Sequence, residues 1–289
     1  MTGPRNLAVR VDGPARNGSV FAADAAPARP VPKRPRRVPT PVISTLAVLA
    51  TIAAWFVVTN TGWISSLYLP TPQQLVSELR TLLSDGYQGT SLAGQIGISL
   101  FRTLTGFVIG STLGVALGLA AGYYRVLGAS VNPILAFIRP VPPIAFIPLV
   151  VLYFGLGETG KVALITVTAF NYTIVNAQAG AANTPIAFRR AAASLGLKRR
   201  QEFMQVIFPA ALPSIFTGLR VAMALSWAVV VAAELVGAQS GLGFMVNNAA
   251  LQLQIPVVFI GIGLIGLIGL ILNGVISLAE RRVVHWIGR

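Results

Sequence analysis

The sequence has no cysteine, one histidine and eight acidic residues among its 289 residues. Without cysteine the chain cannot form a disulfide, a thiolate metal site or a cysteine nucleophile. The single histidine, His285, is too little for a histidine metal cluster or for a Ser-His-Asp triad within this chain. Its position beside the C-terminal end favours a polar residue at a membrane edge. We therefore expect no catalytic residue and no metal site.

The positions of the few acidic residues bear on how the protein obtains energy. They are Asp12, Asp24, Glu78, Asp85, Glu158, Glu202, Glu234 and Glu280. None lies near the middle of a long apolar run, whereas proton- or ion-coupled carriers often use a carboxylate in the middle of the membrane. Glu234 comes closest, and two interpretations stay open for it: a carboxylate at the membrane interface or a residue of a transport pathway. An ion-coupled carrier is therefore not indicated, and any coupling energy is expected to come from elsewhere.

Apolar sequence is what the chain has in abundance. Hydrophobic residues make up 54% of it and charged residues 10%, whereas a soluble domain carries about a quarter charged residues. An integral membrane protein is therefore predicted. Much of the net charge of +14 precedes the first apolar run, in a segment that is rich in proline and alanine. We predict that residues 1–38 form a disordered basic tail on the cytoplasmic side, which binds anionic lipid and fixes the orientation.

Six apolar runs approach the length of about 20 residues that crosses a bilayer. They are residues 41–58, 104–123, 131–154, 161–181, 212–236 and 257–278. Lysine and arginine concentrate at both chain ends and in residues 184–210. Because basic loops stay in the cytoplasm, we predict an all-α integral membrane protein with six transmembrane helices and cytoplasmic N- and C-termini.

Between the first two runs, the stretch LPTPQQLVSELRTLLSDG predicts an amphipathic helix at the outer surface. Leu75, Leu79, Leu82 and Leu83 share one face of this helix, and Gly86 ends it.

A column of glycines marks the second run. Gly106, Gly110, Gly114, Gly118 and Gly122 recur every four residues, so they lie along one face of a helix. Small residues at this spacing let a second helix approach closely. We predict that this column is a helix-packing surface, which a single membrane anchor would not need.

Two stretches imitate nucleotide-binding motifs. GLGETGKV, residues 155–162, nearly matches the phosphate-binding loop G-x-x-x-x-G-K-[ST], but Val162 cannot offer the hydroxyl that Mg²⁺ requires. GIGLIG, residues 261–266, matches G-x-G-x-x-G but lies inside the sixth run with no strand before it. We therefore expect no nucleotide site in this chain.

The stretch TPIAFRRAAASLGLKRRQEFMQVIFPAALPS, residues 184–214, is too patterned for a simple connector. Thr184 can cap a helix that starts at Pro185 and stops at Gly196. A second helix, KRRQEFMQVIF, then leads to Pro209. A basic cytoplasmic loop explains the charges of this stretch, but it does not explain two helices in series.

These residues resemble the EAA motif of ABC-importer permeases, E-A-A-x-x-x-G-x9-I-x-L-P. Ala191, Ala192, Gly196, Val206, Phe208 and Pro209 match the motif, and Arg190 stands where the motif has glutamate. Residues 95–280 resemble the binding-protein-dependent permease domain. SLFRTLTGFVIGSTLGVALG, RPVPPIAFIPLVVLYFGLGE and AELVGAQSGLGFMV are similar to its sulfonate, taurine and nitrate branch.

The resemblance implies a type I ABC-importer permease in a bacterial inner membrane. The loop 184–210 would then couple the chain to a cytoplasmic ATPase dimer, and ATP and Mg would bind to those partner subunits. A solute-binding protein and a second permease copy or paralogue are the other implied partners. The implied parts of the chain are the tail 1–38, the first transmembrane helix and the outer helix in 39–94, the permease core 95–280 and a cytoplasmic tail 281–289.

The resemblance also implies a small anion such as an alkanesulfonate, taurine or nitrate as the substrate. Asn171, Asn176 and Gln178 are polar enough to line its path, although hydrogen bonding between helices explains them equally well. Two other classes stay open as alternatives. A membrane-embedded enzyme would need a catalytic cluster near the interface, and a stand-alone secondary carrier would use charges in the middle of the membrane.

Overall fold

The structure is a computed structural model, which describes residues 40–66 and 68–286. In these two ranges the chain is helical and forms no strand beyond one isolated bridge between Tyr87 and Thr90. The described residues divide into two units on either side of residue 51, and the first of these is the first half of α1. The predicted disordered tail, residues 1–38, lies outside the described residues.

Eleven α-helices are numbered in chain order through the described residues, with a 3₁₀ turn and a π-helical segment between them. They are α1 Thr40–Asn60, α2 Pro72–Ser84, α3 Leu92–Tyr123, α4 Arg125–Ile138, the 3₁₀ turn Pro143–Phe146, α5 Ile147–Phe154, α6 Glu158–Ala182, α7 Ile186–Ser194, α8 Arg199–Glu202, the π-helical segment Phe203–Ile207, α9 Phe208–Gly237, α10 Leu242–Leu251 and α11 Ile255–Val283.

Length and composition support four or five of the six predicted spans. Four helical stretches are long and apolar enough to cross a membrane: 42–60, 92–123, 199–237 and 255–283. α4 and residues 143–154 make a fifth if the pair, which bends by 84°, is one broken span. α6 has 25 residues, but its polar side chains make it the least apolar of the long helices. Six spans therefore stay a prediction.

The centre of the bundle is the contact between α3 and α6, which run parallel to each other. All five glycines of the column face α6. A Cβ atom added at Gly114 would lie 2.9 Å from the carbonyl oxygen of Phe170, and one added at Gly118 would lie 2.5 Å from that of Ile174. Backbone therefore meets backbone here, because only glycine leaves enough room.

α9 packs against α6 in the opposite direction and also contacts α3. Gly180 of α6 faces Ala211 and Ser214, and Gly218 of α9 faces Asn176. The hydroxyl of Ser214 donates to the carbonyl of Asn176 at 2.8 Å. We call the end of this three-helix layer that contains Glu158 the Glu158 end, and the opposite end the Tyr123 end.

The amphipathic helix between the first two runs is present as α2. Thr71 and Gln74 form a reciprocal capping box at its start, and Gly86, with φ +75°, follows its end. α2 packs against α11 and buries Leu82. Leu83, however, is 67% exposed, so the prediction that it shares one face with Leu82 is wrong. It directly follows Leu82 in the helix and therefore lies on a different side of α2.

The sequence predicted a helix that ends at Pro209, but Pro209 does not separate two helices. α8, the π-helical segment and α9 form one continuous helical stretch from 199 to 237. In the π-helical segment the amide of Phe208 donates to the carbonyl of Phe203, five residues back. This wider turn places the proline near the start of α9, where its missing N–H costs little.

The close contact of α3 with α6 yields a stability prediction. Gly114→Leu should lower the free energy of unfolding by at least about 1–3 kcal/mol, because the new side chain overlaps the backbone of α6. Gly263→Leu in α11 is the matched control, since nothing lies within 4 Å of a Cβ atom there. The measurement is the thermal unfolding midpoint of each purified variant in detergent. Equal midpoints would show that the column is not a packing surface.

Candidate functional site

The charged stretch between α6 and α9 folds as two helices around a tight turn. α7 ends two residues before Gly196, which has φ +68°. The amide of Leu197 donates to the carbonyl of Ala192 at 3.1 Å, and the amide of Gly196 donates to that of Ala193 at 3.0 Å. These two bonds form a Schellman motif, where glycine is favoured because other side chains resist positive φ. Residues 186–207 are therefore a helix–glycine–helix unit, which we call the helical hairpin.

The start of α7 differs from the prediction. The helix begins at Ile186, with Pro185 as the residue before it and no side-chain cap. The hydroxyl of Thr184 donates instead to the carbonyl of Gly180 at 3.4 Å. The expected cap by Thr184 is therefore wrong, because this hydroxyl turns back to the last turn of α6.

Several of the residues assigned to coupling meet at one groove. Ala191, Val206 and Pro209 line an open groove between α7 and the start of α9, together with Ala192, which is 3% exposed. Phe208 is partly buried next to this groove and packs against the apolar cluster below it. The small side chains of the motif thus let α7 lie close to the helical stretch that continues into α9.

Glu202 ties the helical hairpin to the end of α3. Its carboxylate accepts a hydrogen bond from Nε of Arg189 at 3.0 Å and another from the hydroxyl of Tyr123 at 3.1 Å. The guanidinium of Arg189 also lies 5.9 Å from the centre of the Tyr123 ring. Arg190, one residue further, is exposed and has no ion pair within residues 40–66 and 68–286. It is therefore free to contact a partner.

The three polar residues proposed for a pathway do not converge on one point. Asn176 donates to the carbonyl of Tyr172 in its own helix at 2.8 Å. Gln178 donates to Asn132 of α4 at 2.7 Å, which is a hydrogen bond between helices. Asn171 is 7% exposed, and its side-chain oxygen is buried with no hydrogen-bond partner among the described residues. Two of the three amides are thus used in structural hydrogen bonds.

A buried charge network lies at the Glu158 end of the bundle. Glu234 of α9 is 1% exposed and Arg102 of α3 is 2% exposed. Nη1 of Arg102 donates to Glu234 at 2.7 Å, and the hydroxyl of Ser99 donates to the same carboxylate at 2.8 Å. Nη2 of Arg102 donates to Glu158 at 2.6 Å, and Lys161 also contacts Glu158 at 3.2 Å. The network joins α3, α6 and α9.

The turn between α9 and α10 is fastened to this network through its backbone. The amide of Gly243 donates to Glu234 at 2.8 Å, and the amide of Gly241 donates to Gln95 at 2.6 Å. Gly241 has φ +115°, and a side chain there would collide with the carboxylate of Glu234. Glycine is therefore required at 241 by both conformation and space.

The sequence left two interpretations of Glu234 open, a carboxylate at the membrane interface or a residue of a transport pathway, and the structure adds that this carboxylate is buried. Glu234 is a buried carboxylate whose charge is balanced by Arg102. The two residues lie 132 positions apart in the chain. The sequence could have indicated that Glu234 has a cationic partner, because a carboxylate at the end of an apolar run needs a cation. It does not identify which basic residue that partner is.

Removal of the Arg102 guanidinium should lower the free energy of unfolding. Arg102→Met leaves the buried carboxylate of Glu234 without its counter-charge, and breaking such a pair costs about 3–5 kcal/mol. Glu158→Gln is the control, because the side chain of Glu158 is 62% exposed and exposed pairs contribute about 0–1 kcal/mol. We expect a much larger drop in the thermal unfolding midpoint for Arg102→Met. Similar midpoints for the two variants would contradict the structural role of the network.

Comparison with known proteins agrees with this geometry. Residues 110–285 match the family described as "Binding-protein-dependent transport system inner membrane component". The taurine transport system permease protein TauC of Escherichia coli (strain K12) is 39% identical over 247 residues, which cover 85% of this chain and 89% of TauC. The nitrate import permease protein NrtB of Synechocystis sp. is 32% identical over 221 residues, 75% of this chain and 80% of NrtB.

A solved structure of an amino acid ABC transporter has the same fold. It superposes with a TM-score of 0.56 at 18% identity and covers 73% of this chain and 97% of its own. The family match covers more than half of the chain, and relatives above 30% identity align over most of their length. The chain is therefore a multi-pass membrane protein that belongs to the binding-protein-dependent transport system inner membrane component family, as a permease subunit of an ABC transporter.

Proposed function

We propose that this chain forms the membrane pathway of an ABC importer for a small oxyanion, namely taurine, another organic sulfonate or nitrate. The observation that carries the proposal is the helical hairpin with its Gly196 turn, in a chain similar to taurine and nitrate permeases. ATP and Mg bind to a cytoplasmic ATPase dimer, and this chain carries no ATPase site of its own.

The helical hairpin is the proposed docking element for the ATPase. Its second helix continues into α9, and its first helix is tied to α3 through Arg189, Glu202 and Tyr123. A displacement of the hairpin by the ATPase is therefore passed to two of the three helices in the central layer. Alternating access needs such a rigid element that rocks between two packed arrangements.

Arg190 defines what the ATPase must offer. It occupies the position where the EAA motif has glutamate, and its exposed guanidinium is one residue from the Arg189–Glu202 ion pair. The docking groove of the partner is therefore expected to present an acidic residue to Arg190. A groove adapted to glutamate would present a basic residue and repel it.

The proposed orientation places the Tyr123 end in the cytoplasm and the Glu158 end outside. Eight basic residues lie at the Tyr123 end, either within or close to the helical hairpin or in the last turn of α11: Arg125, Arg189, Arg190, Lys198, Arg199, Arg200, Arg281 and Arg282. Positive residues on the cytoplasmic side set the orientation of membrane proteins. With α6 as a span and α4 and α5 as one broken span, the chain crosses six times and both termini are cytoplasmic.

The remaining partners follow from the proposed transport cycle. A solute-binding protein delivers the anion to the Glu158 end, and a second copy of this chain or a paralogue completes the pathway in the bacterial inner membrane. Residues 95–280 form the permease core, residues 39–94 add the first span and the outer helix, and residues 1–38 and 281–289 are cytoplasmic tails.

The orientation can be tested directly, because the chain has no native cysteine. Single cysteines replacing Phe188 or His285, both exposed at the Tyr123 end, should react with a membrane-impermeant maleimide only from the cytoplasmic side. A cysteine replacing Ala250, exposed at the end of α10, should react only from outside. Labelling of the Phe188→Cys variant from outside would overturn both the orientation and the coupling assignment.

The function itself is tested by co-purification and by one glycine variant. A tagged chain should retain an ATPase subunit, and the reconstituted complex with its solute-binding protein should take up taurine or nitrate on addition of ATP.

Gly196→Val should strain the turn by about 1–2 kcal/mol and move α7. We expect uptake and uptake-coupled ATP hydrolysis to fall together while the amount of complex in the membrane stays within about twofold.

Gly62→Val is the matched control for this variant. Gly62 has φ +75°, and, as at Gly196, nothing lies within 4 Å of a Cβ atom there, so the backbone strain is similar but the position is remote from the helical hairpin. It should leave uptake near normal. A chain that retains no ATPase, or a Gly196→Val variant with full uptake, would refute the proposal or the coupling role, respectively.

A further inference from the structure

The break between α4 and α5 is flanked by two contacts with α6. On one side of it, Asn132 of α4 accepts a hydrogen bond from Gln178, four residues before the end of α6. On the other side, Ile147 of α5 lines a small apolar cavity with Leu164, six residues after the start of α6. Arg139 lies in the chain between these two contacts, and we therefore place it between the levels of Gln178 and Leu164 on α6.

Arg139 is an unpaired cation at this break. It is exposed, and its side chain has no hydrogen bond or ion pair within the part of the chain that the structure describes. Three basic residues of the long helices have acidic partners: Arg102 with Glu158 and Glu234, Lys161 with Glu158, and Arg220 with Glu280. Arg281 and Arg282 have none among the described residues, but they lie in the last turn of α11 at the Tyr123 end. Arg139 has no acidic partner in these ranges either.

A second copy of the chain would not supply the missing acid. The acidic residues of the described ranges are Glu78, Asp85, Glu158, Glu202, Glu234 and Glu280. Glu78 and Asp85 belong to α2 or its end, and the other four lie close to the ends of the long helices. A symmetric pair of chains would therefore bring a second arginine to this level and no carboxylate from these ranges.

A charge at this depth has few environments open to it. A charged side chain in the middle of a bilayer almost always faces the protein interior or a water-filled cavity. The backbone around Arg139 is consistent with such a cavity, because Pro140, Pro142 and Pro143 have no amide donor with which to continue α4. Non-helical backbone at membrane depth is tolerated where it lines such a cavity. Broken helices of this kind form substrate sites in other transporters.

We propose that Arg139 binds the transported oxyanion at the midpoint of the pathway, an inference that rests on the proposed import function. Guanidinium groups pair two parallel N–H donors with two oxygens of a carboxylate or phosphate, and a sulfonate or nitrate offers oxygens in a similar arrangement. The arginine is exposed and unpaired because its counter-ion is the substrate. The site would take small anions with at least two terminal oxygens.

A structural explanation competes with this proposal. Arg139 follows the last residue of α4, where a cation stabilises the helix dipole and the free carbonyls. In that case any positive charge would serve equally, and its loss would lower stability without altering affinity for the anion. The experiment must therefore separate affinity from stability.

The test uses the complete transporter with its ATPase and solute-binding protein in proteoliposomes. Uptake of radiolabelled taurine and nitrate is measured for the wild type, Arg139→Gln and Arg139→Lys. Arg125→Gln is the control, because Arg125 is the exposed first residue of the same helix. For Arg139→Gln we expect KM for uptake to rise about tenfold or more, the loss expected for one charge-assisted hydrogen bond. ATP hydrolysis without substrate and the thermal midpoint should stay unchanged, and Arg139→Lys should recover part of the affinity.

A charge-rescue experiment covers the case in which Arg139→Gln does not assemble. Because the chain has no cysteine, Arg139→Cys can be modified alone when the partner subunits are cysteine-free. Aminoethyl methanethiosulfonate attaches a cationic ammonium through a disulfide and should restore uptake. Sulfonatoethyl methanethiosulfonate attaches an anion of similar length and should not. Prior addition of taurine should slow both reactions.

The outcomes separate this inference from the proposed function. If the wild type takes up anions and Arg139→Gln has the same KM, the inference is wrong and the import function stands. Equal rescue by the cationic and anionic reagents, or a variant that loses only stability, also overturns it. If the wild type retains its ATPase but transports only uncharged solutes, the anion role fails. If it retains no ATPase, the proposed function fails first.

Discussion

The close approach of α3 to α6 is the constraint on which the rest of the bundle depends. Lipid tails are as apolar as leucine, so the hydrophobic effect does not hold helices together inside a bilayer, and van der Waals contact and interhelical hydrogen bonds must do so. Five glycines bring the backbone of α3 onto the carbonyl groups of α6, and Gly180 and Gly218 bring α6 and α9 together in the same way. Packing of backbone on backbone has no flexible side chain that can yield. The three helices are therefore expected to move as one body.

The two ends of this layer are built differently. At the Glu158 end, a buried carboxylate is balanced by Arg102, and the turn around Gly241 is bonded to the same groups. Buried ion pairs repay their desolvation only when the geometry is well satisfied, so this end is held in one arrangement. At the Tyr123 end, the helical hairpin is tied by exposed or half-buried groups around Glu202, which water and a partner protein can reach. A partner can thus act on one end while the other keeps the helices in register.

The sequence predicted features that depend on local chemistry. Gly196 ends α7 because the backbone there has positive φ, and the glycine column faces α6 because its spacing matches a helix. Features that depend on distant residues were not predictable. The pairing of Glu234 with Arg102 needs the three-dimensional fold, and so does the π-helical segment that carries the helix past Pro209. Even the number of spans depends on how much polarity α6 can carry once its amides find partners such as Asn132.

The distribution of charge ties these features together. The chain has 22 basic and eight acidic residues, so its carboxylates are too few to pair one to one with its cations. Water and lipid headgroups accommodate them at no great cost at the ends of the bundle. Within the long helices, Arg102, Lys161 and Arg220 each have a carboxylate partner, whereas Arg281 and Arg282 lie in the last turn of α11. Arg139 lies between α4 and α5, where proline-rich backbone leaves the helical path, and it has no carboxylate partner within the described residues. We infer an anion site at Arg139 because a cation without a carboxylate can take its counter-ion from the transported solute.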